Sequence, residues 1–174
     1  AVSGGKLFAV NKNGELLQSD ERNIKWKKVT SVDRSVNSIT VYRNNIYIAD
    51  NRGEVWRSPV SSLKKGWSKI PPLNNIVSLA ANDRHLYALT GDGEVHRCQP
   101  EKKDAYWLKA AYRNNLTNKE DIKLISIAGG LLYGIDQNNN LYEGEHRTEG
   151  NLSARTMAIT SGSNTVLIVS LDVC

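Results

Sequence analysis

Leu86-Tyr87-Ala88-Leu89-Thr90-Gly91-Asp92-Gly93-Glu94-Val95 decides the fold. An apolar run carrying an aromatic meets a polar, glycine-bearing turn and resumes as a second apolar run, the pattern of a β-hairpin. Three other stretches repeat it: Leu7-Phe8-Ala9-Val10-Asn11-Lys12-Asn13-Gly14-Glu15-Leu16, Ile46-Tyr47-Ile48-Ala49-Asp50-Asn51-Arg52-Gly53-Glu54-Val55 and Leu132-Tyr133-Gly134-Ile135-Asp136-Gln137-Asn138-Asn139-Asn140-Leu141. Their first residues lie about 40 apart, with the longest step before the last copy, and such a period belongs to propeller blades. Gly14, Gly53 and Gly93 share one aligned position, where a tight turn asks for positive φ; Asn139 stands there in the fourth copy.

Outward from the hairpins, a short apolar run precedes three of them: Val36 to Val41, Ile76 to Ala81 and Ile122 to Ala128. The first hairpin has none, and a matching run, Thr165 to Leu171, lies after the last blade. A fourth run follows each hairpin, opened by Trp26, Trp67 and Trp107 in three copies, with Ala154 to Ile159 in the corresponding place of the fourth. The expectation is an all-β, four-bladed β-propeller of four-stranded antiparallel blades, closed by the C-terminal strand joining the first blade beside Lys6 to Val10. Pairing the two ends of the chain would protect the sheet edges. The single domain then divides into blade 1 (1–30 plus 165–172), blade 2 (36–70), blade 3 (76–111) and blade 4 (122–160). The competing architecture is half of a larger propeller, completed by a second copy of the chain.

A chain of 174 residues makes one domain, and at that length about 70% of the extended chain's surface is hidden on folding, so no metal or disulfide frame is required. Apolar residues at 40% and charged residues at 24% are ordinary for a globular protein, and no apolar run is long enough to span a membrane. The net charge of +5 favours acidic partners such as sulfated or phosphorylated glycans. Lys and Arg are dispersed, however, which argues against a specific nucleic-acid site.

No catalytic constellation emerges. His85, His96 and His146 sit at different places in their repeats, there is no HExxH or CxxC spacing, and Gly91-Asp92-Gly93 lacks the lysine and helix of a phosphate loop. The expectation is a non-enzyme with no cofactor and no metal. Glu15, Glu54 and Glu94 recur directly after the turn, and catalysis needs an unequal pair of carboxylates, so the repetition reads as architecture. Trp26, Trp67 and Trp107 read either as fillers of the wedges between blades, where an indole N–H finds a carbonyl, or as flat faces for a ligand. Trp56 aligns with Leu17, His96 and Tyr142, so its position does not demand an indole. With Arg57 beside it, Trp56 is the preferred asymmetric contact. The unlike turn tips Arg52, Asp92 and Asn138 complete the candidate binding set.

Cys98 and Cys174 fall in opposite blades, beyond the roughly 7 Å limit of a bridge, so no intrachain disulfide is expected. Cys174 is left for a contact between two molecules. Asn115-Leu116-Thr117 and Asn151-Leu152-Ser153 are sequons placed in connecting segments, and they tilt the localisation towards secretion.

Trp67-Ser68-Lys69-Ile70, Val77-Ser78-Leu79-Ala80, Leu86-Tyr87-Ala88-Leu89 and Gly93-Glu94-Val95-His96-Arg97 together resemble a tectonin repeat, and Trp26 through Arg57 matches nearly as well. The resemblance runs through almost the whole chain and is weakest in the fourth copy, which lacks both Trp and turn Gly. It implies a tectonin- or tachylectin-type propeller: a secreted lectin binding surface glycans or lipopolysaccharide through repeated shallow sites, with a role in innate immunity. Repeated weak sites would gain avidity on a polyvalent surface. The alternative is a protein-interaction propeller, such as a receptor-binding or inhibitory toxin or venom component. A single asymmetric patch would favour that alternative, and equivalent pockets at several blade junctions would favour the lectin.

Overall fold

The computed structural model describes residues 1–11, 13–110, 122–128, 131–138, 140–143, 146–151, 155–161 and 166–171. The first sheet holds β1 (Val2–Ser3), β2 (Lys6–Val10), β3 (Glu15–Asp20) and β4 (Lys27–Ser31) in sequence order. The second holds β5 (Val36–Tyr42), β6 (Asn45–Asp50), β7 (Val55–Pro59) and β8 (Ser68–Lys69), with a 3₁₀ helix, Val60–Lys65, between its last two strands. The third comprises β9 (Ile76–Ala81), β10 (Leu86–Thr90), β11 (Val95–Cys98) and β12 (Leu108–Lys109). The fourth comprises β13 (Ile122–Ala128), β14 (Leu131–Asp136), β15 (Asn140–Glu143) and β16 (His146–Asn151). All neighbours pair antiparallel, and the four sheets are the blades of a β-propeller, as the repeats require.

The innermost strands hold the blades together: β5 lies beside β9, and β9 beside β13. Two of these contacts are polar and use a serine from the small-residue inner strand. Ser38 Oγ accepts from the Leu79 N–H (2.9 Å) and Ser78 Oγ from the Ile125 N–H (3.1 Å). In the second and third blades the second strand is buried on both faces, which explains its unbroken apolar run. In β6, Ile46 and Ile48 join Phe8, Leu16 and Val32 in the core between the first two blades, while Tyr47 and Ala49 turn to the core shared with the third. In β10, Leu86 and Ala88 face back to that same core and Tyr87 and Leu89 face forward to Ile125 and Leu132. Each such side chain, removed from water, contributes about 2 kcal/mol.

The closure differs from the expectation. Val166–Leu171 is β18, and it pairs not with β2 but with β17 (Arg155–Ser161), as a separate two-stranded sheet. The slot beside β2 is taken by β1 from the start of the chain. Gly4 (φ +56°) and Gly5 (φ +73°) make the two-residue turn that allows this, because both central positions of such a hairpin need the left-handed region. The hairpin is extended by the Phe8 N–H, which donates to the Ala1 carbonyl (2.8 Å). Arg155–Ser161 is likewise not the fourth strand of blade 4. Glu143 pairs with His146 across a short connection, so β16 fills the outer slot first and β17 moves on to lie beside β13.

Candidate functional site

The turns between second and third strands are built around one side chain each. Asn11 Oδ1 accepts from the N–H of Asn13 and Glu15 (3.0 Å each), Asp50 Oδ1 from Arg52 and Glu54 (3.0 Å each), and Asp136 Oδ1 from Asn138 (2.9 Å) and Asn140 (2.8 Å). In the third blade Thr90 takes the place, its hydroxyl bonding Asp92. These are Asx-type turns, which substitute side-chain oxygen for a backbone acceptor. The tips carrying Arg52, Asp92 and Asn138 are exposed, on equivalent turns of separate blades. The Thr90 bond comes first among the causes that hold the Asp92 carboxyl below the usual carboxylate range.

The recurring glutamates are architecture. Glu15 pairs with Lys28 (2.6 Å), Glu54 with Lys69 and Glu94 with Lys109, in each case a cross-strand contact to the lysine two residues after the repeat tryptophan. The lysine bond is the main reason that Glu15 and Glu94 are lowered in pKa. The same ion pair on three blades leaves no free carboxylate at this position for a ligand.

Trp56 is enclosed by its own surroundings. Its Nε1 donates to Asp50 Oδ2 (2.9 Å), the Arg34 guanidinium stacks 3.7 Å from its ring centroid, and the Lys69 ammonium lies 5.9 Å away. Tyr142, at the equivalent place in blade 4, donates to Asp136 Oδ2 in the same way (2.9 Å). The donor thus goes with the acid: Asp50 has Trp56 and Asp136 has Tyr142, whereas Asn11 and Thr90 are followed six residues on by Leu17 and His96. Arg57 is also engaged, to Ser68 Oγ (3.4 Å) and the Pro100 carbonyl (3.2 Å). Trp56 and Arg57 are thus half-buried side chains already bonded within the blades.

The three repeat tryptophans part company. Trp107 donates to the Pro71 carbonyl (2.9 Å) and packs on the core between the second and third blades; Trp67 packs on the core between the first and second. Trp26 is 46% exposed. Cys98 is free and buried, with its thiol pushed up to about 11 by burial. Asn151 is the last residue of β16, paired with Asn140, rather than part of a connecting segment. Asn115 and Cys174 lie outside the described residues.

The feature that stands apart is a cleft of about 140 Å³ on the outer part of the third blade, between the start of β10, the end of β11 and the 99–107 segment. Arg97 and Leu108 are cross-strand partners, which sets the cation against the apolar wall. Tyr106 (64% exposed) and Leu108 (47%) flank Trp107 in sequence and both line the cleft. His85 lines the cleft, its ring centroid 5.9 Å from that of Tyr87 in an edge-on arrangement. Its imidazole is pushed below its ordinary range by burial first, and then by the charges of Arg97, Arg84 and Lys102. The readable signal for this site was the pair of residues flanking each repeat tryptophan: Lys25 and Lys27, Gly66 and Ser68, then Tyr106 and Leu108. Only the third pair is apolar. Among the described residues, no group of three or more His, Cys, Asp or Glu is placed to hold a metal ion, and no helix is long and apolar enough to cross a membrane.

No family model and no curated protein matches this chain. Solved structures do match. A chain of the nidogen/laminin complex superposes with a TM-score of 0.60 at 13% identity, covering 80% of this chain and 55% of that one. PorZ, a surface component of the type-IX secretion system of Porphyromonas gingivalis, superposes with a TM-score of 0.61 at 13% identity, covering 97% of this chain and 22% of that one. This chain therefore spans little more than half of the first and under a quarter of the second. At such identity the likeness establishes the propeller fold, and the tectonin likeness rests on the repeat motif alone.

Proposed function

We propose that this propeller is a protein-interaction module whose partner docks at the third-blade cleft. The observation that carries the reading is the exposed pair Tyr106 and Leu108 at the mouth of that cleft, where the first two blades have Lys, Gly or Ser. Size points the same way: enclosed small-molecule sites hold roughly 300–1,000 Å³. A space of about 140 Å³ suits one side chain of a polypeptide seated as an anchor. The nidogen/laminin structure, a propeller-fold match found in a protein complex, lends the reading support by analogy.

The finer lectin reading is favoured by one observation, the solvent-facing rings of Trp26 and Tyr106, which offer flat surfaces to a sugar. Against it stand the glutamates and Trp56, which the blades use internally. Secretion accompanies either reading, on the strength of the two sequons. The deciding experiment exposes wild-type protein and a Tyr106→Lys, Leu108→Ser variant to a displayed random-peptide library and to a glycan array containing lipopolysaccharide, each at low and high salt. Peptides retained by the wild type and lost by the variant support the module. Saturable glycan binding that survives salt, with no peptide retained, would replace it with the lectin.

A further inference from the structure

Arg97 and Lys102 are set apart by place: both line the cleft. Lys28, Lys69, Lys109 and Arg43 each close on a glutamate, Arg43 on Glu101 at 2.7 Å. Among the described residues no such ion pair closes on Arg97 or Lys102, both exposed at the cleft. Among the described residues that line the cleft Asp104 is the only carboxylate, so with His85 neutral this lining carries an excess of positive charge. That excess is felt locally: Arg97, Arg84 and Lys102 all work against protonation of His85. Tyr106 and Leu108 supply the apolar side of the same opening.

We infer that the cleft is an acidic-peptide site, holding a Glu or Asp side chain between Arg97 and Lys102 while an adjacent apolar side chain of the same peptide packs on Tyr106 and Leu108. The inference rests on the interaction-module reading and names the chemistry of its partner. Charge complementarity selects the anion, since two unpaired cations in a concave, partly apolar wall focus their field on whatever enters. The cleft volume limits the anchor to a single residue. The aromatic and aliphatic walls then set a preference for what stands next to it.

The test uses a phage-displayed random-peptide library panned on wild-type protein at physiological salt. Selected peptides are remeasured against Arg97→Gln/Lys102→Gln and against Tyr106→Ser, with thermal unfolding used to verify that these surface variants fold. The expected result is selection of peptides sharing an acid beside an apolar residue, with binding weakened about tenfold by the double variant. A Glu→Gln change in the peptide should weaken wild-type binding to a similar degree and the double variant's hardly at all. Peptides without a shared acid, or with unchanged binding to the double variant, overturn the inference while leaving the interaction module standing. If no peptide depends on either the charged or the apolar substitutions, both are overturned.

Discussion

The indole nitrogen of Trp107 donates a 2.9 Å hydrogen bond to the carbonyl oxygen of Pro71, tying the outer part of the third blade to the segment that leaves the second. Trp67 fills the wedge one blade earlier, while Trp26 keeps nearly half its surface in water. One residue type at one repeat position thus has unequal energetic weight. Trp107→Phe should cost about 1 kcal/mol through loss of that bond and exposure of an unpaired carbonyl. Trp26→Phe should stay within about 0.5 kcal/mol of wild type. Urea unfolding midpoints at constant slope measure both, and equal losses would contradict the wedge assignment.

Asp50 is buried and gives one oxygen to the turn and the other to Trp56. Trp56→Phe removes the donor and leaves a buried carboxylate oxygen unsatisfied, at a cost of about 1–3 kcal/mol. Trp56→Tyr should recover part of this, since Tyr142 already serves Asp136 from the equivalent position. Unfolding free energies of the two variants separate the hydroxyl from the lost indole packing. No advantage of Tyr over Phe would mean that the acid and its donor are not coupled.

Much of this was legible because each blade must solve one local problem with the same residues. Asn11, Asp50 and Asp136 cap turns over a short sequence interval, so their spacing repeats visibly. The glutamate partners were harder to read: Glu54 and Lys69 lie 15 residues apart on different strands, and only the recurrence of Trp-x-Lys links them. β1 has two residues and therefore no periodicity; its one signal was the Gly4-Gly5 dipeptide. Without that turn, the C-terminal run looked like the missing inner strand. The bond from Trp56 to Asp50 was hard to read for a related reason: position 56 aligns with Leu17, His96 and Tyr142, which vary with the side chain six residues earlier, so no repeated pair announces it. The cleft is assembled from His85, the end of β11 and the 99–108 segment, and no local pattern in the sequence brings those three stretches together.

Gly53 should be the least replaceable residue of its turn. Its φ is +75°, and a Cβ there would lie 2.5 Å from the Asn75 nitrogen and 2.6 Å from the Ile76 nitrogen, both backbone atoms that cannot swing aside. Gly66 has φ +113° but no atom within 4 Å of the same position. Gly66→Ala should therefore cost about 2 kcal/mol, the backbone penalty alone at a φ, ψ pair of +113° and 174° that only glycine adopts readily. Gly53→Ala adds the overlap and should reach about 3 kcal/mol. Matched unfolding curves test the difference, and similar losses at both sites would show that the 71–75 segment yields.

Asp136 gives the fourth blade a dependence on pH whose sign is fixed by its partners. Burial works to raise its pKa, but the bonds from the Asn140 side chain (2.7 Å) and backbone (2.8 Å), the Tyr142 hydroxyl (2.9 Å) and the Asn138 N–H (2.9 Å) outweigh it, and the carboxyl sits below its ordinary value. A carboxyl with a lower pKa in the folded chain contributes stability that is present in full above the unfolded value of about 4 and is lost as pH falls through the folded value. Asp136→Asn keeps the shape but turns an acceptor into a donor facing the Asn140 amide and the Tyr142 hydroxyl. It should lower stability at about pH 7 by roughly 1–3 kcal/mol, and the gap to wild type should narrow steadily below about pH 4. Denaturant unfolding of both proteins across that range reads the gap directly. A gap that does not change with pH would mean that these bonds favour the protonated and ionised forms equally.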